Sequence, residues 1–107
     1  MGNRNMANAE PIVRSKIKPN IKLAEPPLYN VIYMNDDFTT QEFVVGSLVT
    51  HFRYTEDTAE TITMDIHHNG SAVVAVLPYE IAEQKGTEVT LEARQQGYPL
   101  QVKLEAS

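Results

Sequence analysis

The pattern of apolar and polar positions divides the chain near residue 27. Before this point, large apolar residues are few and follow no sustained period. After it, the run Leu28–Met34 is rich in aromatic and β-branched residues and has the length of a strand. The run Asn35-Asp36-Asp37 ends this strand, because Asn and Asp favour turns and caps over β-ladders.

Two helices are predicted next. Thr39 is expected to cap the first, with Glu42 completing a capping box three residues later. Its buried positions would be Val44, Leu48 and Phe52, with Phe43 alongside. After a break at Arg53-Tyr54, Thr55 is expected to cap a second helix that runs to about His68 and is closed by Asn69-Gly70. Its inward positions would be Ala59, Ile62 and Ile66.

The remaining chain predicts a strand, a helix and a strand. Residues 72–77 form a continuous apolar run, which indicates a strand covered on both sides or central in its sheet. Pro78 is expected to begin the third helix and Gly97 to end it. The inward face of that helix would carry Ile81, Ala82, Val89 and Ala93. Residues 100–104 alternate as a half-buried strand, with Gln101 and Lys103 outward.

These elements predict an α+β fold. Their order is β-α-α-β-α-β, which favours a single sandwich of three helices on a three-stranded, mainly antiparallel sheet. Residues 27–107 would form this core domain, which is long enough for one modest hydrophobic core. Residues 1–26 are expected to be a disordered or loosely attached tail, because their composition cannot offset chain entropy by burial.

The balance of basic and acidic residues also differs between residues 1–26 and the rest of the chain. Residues 1–26 carry five basic and two acidic side chains, whereas the remainder carries four basic and twelve acidic ones. An acidic body repels phosphate, so nucleic acid is not expected as a partner. No apolar run approaches the roughly 20 residues of a membrane span, and no signal peptide is recognised. Together with the absence of cysteine, this favours a cytoplasmic protein.

The turn after the first strand is the first candidate site. Asn35-Asp36-Asp37 places three short polar side chains directly after a hydrophobic strand. Turn and capping chemistry alone could explain them. A carboxylate beside an amide oxygen is also a good receptor for an ammonium group. From the residues alone, both interpretations stay open.

The histidines and the third helix offer weaker candidates. His67 and His68 point about 100° apart on a helix, so both cannot ligate one metal, and no metal or other cofactor is expected. Glu80, Glu83, Gln84, Lys85 and Glu88 mark an exposed helix face, which is either a solubility feature or a partner surface. No nucleophile with an adjacent base and no phosphate loop is present, so the chain is not expected to be an enzyme.

Several separated motifs resemble the ClpS family, whose members are adaptors that deliver N-degron substrates to the ClpA or ClpC unfoldase of the Clp protease. The resemblance begins at residues 31–39 (VIYMNDDFT) and continues through Glu42-Phe43-Val44. It includes residues 66–70 (IHHNG), 78–85 (PYEIAEQK) and 98–100 (YPL), and ends at Leu104-Glu105. It covers roughly residues 27–106.

The resemblance implies an adaptor that binds proteins with a free Leu, Phe, Tyr or Trp at the N-terminus. It implies that Asn35, Asp36 and His67 hold the substrate's ammonium group. The residues implied to line a hydrophobic pocket are Met34, Asp37, Thr39, Gln41, Val44, Thr63, Ile66 and Leu100. Those implied to contact the N-terminal domain of ClpA or ClpC are Phe38, Glu80 and Lys85. The adaptor is expected to be a monomer, and its tail would engage the unfoldase.

Two positions depart from the family pattern, and two other functions remain open. The family often has Met where this chain has Gln41 and Thr63, which predicts more room for large aromatic side chains. A structural or ribosome-associated interaction domain is the alternative function, and it would leave Asn35, Asp36 and His67 indifferent to mutation. A metal-binding regulator using His67 and His68 would instead show a metal-dependent shift in melting temperature.

Overall fold

A computed structural model describes residues 25–107. Most of the expected tail, residues 1–24, lies outside them. The described part contains six elements in the predicted order: β1 (Leu28–Met34), α1 (Gln41–Phe52), α2 (Glu56–Asn69), β2 (Ser71–Pro78), α3 (Tyr79–Gln95) and β3 (Gln101–Ala106). The predicted α+β class and the order of elements are confirmed. Within residues 25–107, no helix is both long and apolar enough to cross a membrane.

The three strands form one antiparallel sheet in the order β2-β1-β3. Met34 pairs with Ser71 and Gln101 at one end of the sheet, and Leu28 pairs with Pro78 at the other. The expectation that residues 72–77 form a central or doubly covered strand is wrong. β2 is an edge strand, with β1 as its sole neighbour among the described strands, and its Val73 and Val76 are 50% and 47% exposed.

The first helix begins one residue later than predicted. Thr40, not Thr39, is its N-cap, and the Thr40 hydroxyl accepts a hydrogen bond from the Phe43 N–H at 3.1 Å. Thr39 lies in the preceding loop, where its N–H and hydroxyl both donate to the Asp36 carboxylate. Thr55 caps α2 as predicted.

The ends of α2 and α3 follow the predicted glycine signals. Gly70 ends α2 with φ +89°, a left-handed conformation that glycine adopts without a Cβ clash. After α3, Gly97 has φ +82°, and Tyr98 donates its N–H to the Ala93 carbonyl at 2.8 Å. With the Gly97 N–H donating to Arg94, this is a Schellman motif. Pro78 ends β2 and caps α3 instead of being its first residue.

The core lies between the sheet and the helices. Its largest fully buried side chains are Tyr33, Leu48, Leu100, Val31, Val74 and Val89. Phe52 is half-buried and packs against this core. Ala82, Val89 and Ala93 are buried as predicted, but Ile81 is 43% exposed, so its inward placement is wrong. One residue turns a helix by about 100°, and Ile81 therefore points away from the stripe that begins at Ala82.

Tyr33 and Ser47 join β1 to α1 inside the core. The Tyr33 hydroxyl and the Ser47 Oγ are 2.8 Å apart, and Ser47 donates to the Val44 carbonyl. Since the Ser47 proton is used in that bond, Tyr33 donates to Ser47. Burial raises the pKa of Tyr33, which keeps this phenol neutral. The pair fixes α1 against the strand that carries the candidate turn.

Candidate functional site

The end of β1 meets the end of α2. The Asn35 N–H donates to the Gly70 carbonyl at 2.8 Å, while the Gly70 N–H donates to Ile66. One backbone bond therefore joins the residue after β1 to the cap of α2. His67 lies in the last turn of that helix, three residues before Gly70. The structure thereby brings together Asn35 and His67, which are far apart in the sequence.

The Asp36 carboxylate organises the loop between β1 and α1. Its Oδ1 accepts from the N–H groups of Phe38 at 2.8 Å and Thr39 at 2.7 Å. Its Oδ2 accepts from the Thr39 hydroxyl at 2.8 Å. A carboxylate offers about four lone-pair sites, so these three bonds leave Asp36 with room for one more donor. The turn and capping interpretation is therefore correct for this residue, and it leaves the ammonium interpretation open.

The hydrogen bonds also favour the charged form of Asp36. Partial burial by itself raises the pKa, but the bonds from the Thr39 N–H, the Phe38 N–H and the Thr39 hydroxyl lower it. The positive charge of Arg94 acts in the same direction. The net result is a pKa below the ordinary value for Asp, so the loop carries a fixed negative charge at neutral pH.

A cavity of about 230 Å³ opens beside this loop. It lies between the loop, the start of α1 and the last turns of α2. All three residues expected to hold an ammonium group border it, together with five of those expected to form the pocket: Asn35, Asp36, Asp37, Thr39, Gln41, Thr63, Ile66 and His67. The cavity thus combines the polar groups of the loop with a wall in which Ile66 is the apolar side chain.

The apolar wall comes from α2. Ile66 is 3% exposed and Thr63 is 4% exposed. The Thr63 hydroxyl donates to the Ala59 carbonyl of its own helix at 2.8 Å, so its polar group is already satisfied. Gln41, the first residue of α1, is exposed. The two departures from the family pattern therefore both border the cavity.

Three other residues expected in the pocket do not border this cavity. Val44 and Leu100, 7% and 1% exposed, belong to the buried core cluster. Met34 is half-buried at the end of β1. Their assignment to the pocket stays a prediction.

The residues expected to contact an unfoldase do not form one patch. Phe38 lies in the loop beside the cavity and is 75% exposed. Glu80 is exposed in the first turn of α3, just after the end of β2 that pairs with Leu28. Phe38 and Glu80 are therefore at opposite ends of the sheet. Lys85 is half-buried and borders a cleft beside Arg53 and the β2 edge.

Sequence reasoning missed Arg94, which supports the site from α3. Its guanidinium donates to the carbonyls of Tyr98 at 2.9 Å and Leu100 at 2.8 Å, and its charge acts on Asp36. The available signal was its position as the basic residue in the last turn of α3.

His68 is exposed beside His67, with ring centroids 5.5 Å apart. Among residues 25–107, no three acidic or histidine side chains are grouped to hold a metal.

Comparison with known proteins identifies the family. The model of the family described as ATP-dependent Clp protease adaptor protein ClpS matches residues 24–103. This chain belongs to the ClpS family of Clp protease adaptors. A ClpS 1 adapter protein of Rhodopseudomonas palustris is 42% identical over 95 residues, covering 89% of this chain and 92% of the relative. A ClpS 2 adapter protein of Mesorhizobium japonicum is 45% identical over 87 residues, covering 81% and 84%.

A solved ClpS structure is similar to the described fold. It is ClpS2 of Agrobacterium tumefaciens bound to L-phenylalaninamide, with a TM-score of 0.75 and 42% sequence identity. The match covers 78% of this chain and all of that one. The similarity to a ClpS protein with this small amide bound confirms the resemblance drawn from the motifs.

Proposed function

We propose that this adaptor binds proteins through a free N-terminus whose first residue is Leu, Phe, Tyr or Trp, and delivers them to a AAA+ Clp unfoldase. The observation that carries the proposal is the cavity that joins Asn35, Asp36 and His67 to the apolar wall of Thr63 and Ile66. In this proposal residues 27–107 form the binding core, which acts as a monomer in the cytoplasm. Residues 1–26 form the extension that engages the unfoldase.

The small amide bound by the similar structure supports the substrate class. Phenylalaninamide has a free ammonium group, an aromatic side chain and an amide where a second residue would begin. It therefore represents the first residue of a protein chain. The cavity of this chain has the matching parts, with carboxylate and amide oxygens from the loop and a wall formed by Ile66 and Thr63.

The polar mouth distinguishes a chain end from an internal peptide. A free α-ammonium has a pKa of about 7.7–8.0, so it is mostly charged at pH 7 and offers three donors. An internal peptide offers one N–H. The remaining acceptor site of Asp36, the Asn35 amide oxygen and a ring nitrogen of His67 supply three acceptors. Each charge-assisted bond contributes about 1.5–3 kcal/mol.

The wall selects the first side chain by burial. Burying a Leu or Phe side chain contributes about 1.5–3 kcal/mol. After the loss of association entropy, the sum supports affinities near micromolar, about −8 kcal/mol, and not picomolar ones. Such an affinity suits an adaptor, because it must release its substrate to the unfoldase.

The proposed unfoldase partner is ClpA or ClpC, contacted at its N-terminal domain by Phe38, Glu80 and Lys85. Phe38 is 75% exposed, and aromatic residues are enriched in protein interfaces. Because Phe38 and Glu80 lie at opposite ends of the sheet, the proposal requires contacts along one side of the molecule and not at a single point.

Peptide binding tests the proposed function. A fluorescent Phe-initiated peptide should bind with roughly micromolar affinity. N-acetylation of that peptide should weaken binding by at least about 100-fold, because it removes the charge and two donors. Equal affinity of the acetylated peptide would refute the ammonium site.

Two variants locate the binding. Asp36→Asn keeps acceptor oxygen for the loop and removes the charge, so it should weaken binding by roughly 10-fold or more. Asp65→Asn, on an exposed α2 position that does not border the cavity, is the matched control and should bind normally. An Asp36→Asn variant that binds as tightly as Asp65→Asn would exclude this carboxylate from the site.

A further inference from the structure

The last residue of α2 and its cap form a dipeptide that is open to a chemical change. Asn69 is the only one of the seven asparagines in the chain that is followed by glycine. Both Asn69 and Gly70 are exposed. Because glycine has no Cβ, its backbone nitrogen can approach the preceding side chain more closely than the nitrogen of other residues. Asn69-Gly70 is therefore the position where a side-chain amide is most accessible to attack by the next peptide nitrogen.

The reaction at this dipeptide is intramolecular and needs only a base and water. A base from solvent takes the proton of the Gly70 N–H, and the nitrogen then forms a bond to the Cγ of Asn69. The bond between Cγ and the side-chain nitrogen breaks, and this nitrogen leaves as ammonia after the base returns the proton. Water then opens the succinimide ring at either carbonyl. The products are aspartate and isoaspartate, and in isoaspartate the main chain runs through the former side chain.

The folded junction keeps the attacking nitrogen away from its target. The Gly70 N–H donates to the Ile66 carbonyl at 2.9 Å, and the Gly70 carbonyl accepts from the Asn35 N–H at 2.8 Å. Asn69 is part of α2, where side chains are directed towards the preceding turn and away from the next nitrogen. Attack on Cγ therefore requires the last turn of α2 to open. Helix ends open more readily than helix centres.

The same opening separates the polar residues of the proposed site. His67 lies in the last turn of α2, and Asn35 is joined to Gly70 by its backbone. A substrate held by both His67 and Asn35 requires this turn to be closed. A ligand that binds only the closed form lowers the population of the open form in proportion to its concentration relative to its dissociation constant. Occupancy of the pocket therefore suppresses the form of the chain that reacts.

The two products change the junction in different ways. Isoaspartate lengthens the main chain between His68 and Gly70, so the Gly70 carbonyl is displaced from the Asn35 N–H that it accepts in the folded chain. Aspartate keeps the length of the main chain and adds one negative charge at an exposed position. Isoaspartate is thus the product that changes the relative position of Asn35 and His67.

We propose that Asn69-Gly70 is a deamidation site at which the unoccupied adaptor slowly converts to an isoaspartate form that no longer captures N-termini, whereas bound substrate protects the site. The inference rests on the proposed function, because the protection comes from a ligand that holds Asn35 and His67. The covalent state of Asn69 thereby distinguishes adaptors that have been occupied from those that have stood idle.

The first test measures modification with and without a ligand. The full-length chain is incubated in mildly alkaline buffer, digested, and scored by mass spectrometry for deamidation and isoaspartate. Leucinamide at about ten times its dissociation constant should slow modification of Asn69 by about 10-fold. N-acetylleucinamide, which lacks the ammonium group, should give no protection at the same concentration. Asn30, which lies in β1 and precedes the β-branched Val31, is the internal control and should stay unmodified.

The second test links the modification to capture. The isoaspartate form, separated from the incubated chain, should bind a Leu-initiated peptide at least about 10-fold more weakly than the fresh chain, because a charge-assisted bond is lost. Asn69→Gln should keep its affinity through the incubation, since its longer side chain closes the ring far less readily. Freshly prepared Asn69→Asp represents the other product and should bind within about threefold of the native chain, because a single exposed charge has little influence.

The outcomes separate this inference from the proposed function. Absence of leucinamide binding to the fresh chain would overturn both. Normal leucinamide binding without deamidation at Asn69 would overturn the modification site alone. So would modification that leucinamide does not slow, or an isoaspartate form that binds as tightly as the fresh chain. Equal rates at Asn30 and Asn69 would also overturn it, since they would place the reaction in the unfolded chain and not in the opened end of α2.

Discussion

At the scale of single residues, Asp36 has two roles that must be measured separately. Its carboxylate holds the loop through Phe38 and Thr39, and it faces the cavity where the substrate's ammonium is proposed to bind. Loss of binding after its replacement by alanine would therefore not distinguish a distorted loop from a missing partner. Asparagine is the sharper replacement, because it changes the charge while retaining an acceptor.

The pH dependence of stability tests the loop role of Asp36. Its pKa is lower in the folded protein than its ordinary value of about 3.9. Protonation on acidification therefore favours the unfolded chain, and the stabilisation is present above pH 5 and lost as pH falls through the folded-state pKa below about 4. Urea unfolding should show the native chain to be more stable than Asp36→Asn by roughly 1 kcal/mol at pH 7. This difference should shrink as pH falls through the folded-state pKa of Asp36. A difference that stays constant throughout the acid titration would contradict the loop role.

Thr63 sets the width of the proposed pocket. Thr63→Met would lengthen a buried wall residue to the side chain the family often has here. Overfilling a packed site costs about 1–3 kcal/mol, so a Trp-initiated peptide should bind roughly 10-fold more weakly to this variant, whereas a Leu-initiated peptide should change little. Titrations that vary only the first residue measure both. Strong preference of the native chain for Leu over both Phe and Trp would count against the wider pocket.

At the scale of elements, the junction of β1 and α2 positions the polar residues of the proposed site. Gly70 ends α2 in a left-handed conformation and its carbonyl accepts from Asn35. Asn35 and His67 thus depend on one capping residue for their relative position. A substitution at Gly70 should therefore change the relative position of Asn35 and His67 without altering either side chain.

Gly70→Ala tests this junction, with Thr55→Ala as its control. Gly70 has φ +89°, so its replacement should cost about 1 kcal/mol of stability in urea unfolding, and loss of the Thr55 side-chain cap at the other end of α2 should cost about as much. Only Gly70→Ala should also weaken peptide binding, by about threefold or more, because the Gly70 carbonyl accepts the Asn35 N–H. Equal binding by the two variants would show that the junction does not position the site.

The elements also show what the sequence could predict. β1 was predicted with its correct bounds, because a hydrophobic run stops at Asn35. The cap of α1 was displaced by one residue, since Thr39 and Thr40 have the same chemistry and only the bonds to Asp36 distinguish them. The edge position of β2 could not be predicted, because the same apolar run occurs in central and edge strands. The order of strands in a sheet depends on long-range pairing between strands, which the pattern within one strand does not indicate.

Some residues of the candidate site could be predicted from the sequence and others could not. The turn at Asn35 was visible as a cluster of polar residues, but its contact with the end of α2 was available only through the family resemblance. Arg94 gave almost no signal, because a basic residue in the last turn of a helix is common.

At the scale of the whole molecule, the sheet separates proposed substrate binding from part of the proposed unfoldase contact. The cavity lies beyond the end of β1, while Glu80 follows the other end of β2. Seven strand residues make six steps of about 3.3 Å, which put roughly 20 Å between these ends. Charges at Glu80 and Lys85 should therefore have little influence on the bound peptide.

Charge reversal at both residues tests this separation. The double variant Glu80→Lys, Lys85→Glu keeps the net charge and should leave affinity for a Phe-initiated peptide within about twofold. It should weaken binding to the isolated N-terminal domain of the unfoldase by roughly 10-fold or more, measured by calorimetry, as expected for a disrupted charged contact. Reduced peptide affinity without any change in unfoldase binding would contradict the assigned interface.

The hydrogen bond from the Ser107 N–H to the Leu28 carbonyl has a practical consequence. It places the last residue of the chain beside the first residue of β1, at the end of the sheet remote from the cavity. A dye or surface tether attached at Ser107 would therefore sit about one strand length from the captured N-terminus. Immobilisation through this residue should leave the cavity facing bulk solvent, which makes it the preferred attachment point for single-molecule measurements of capture and release.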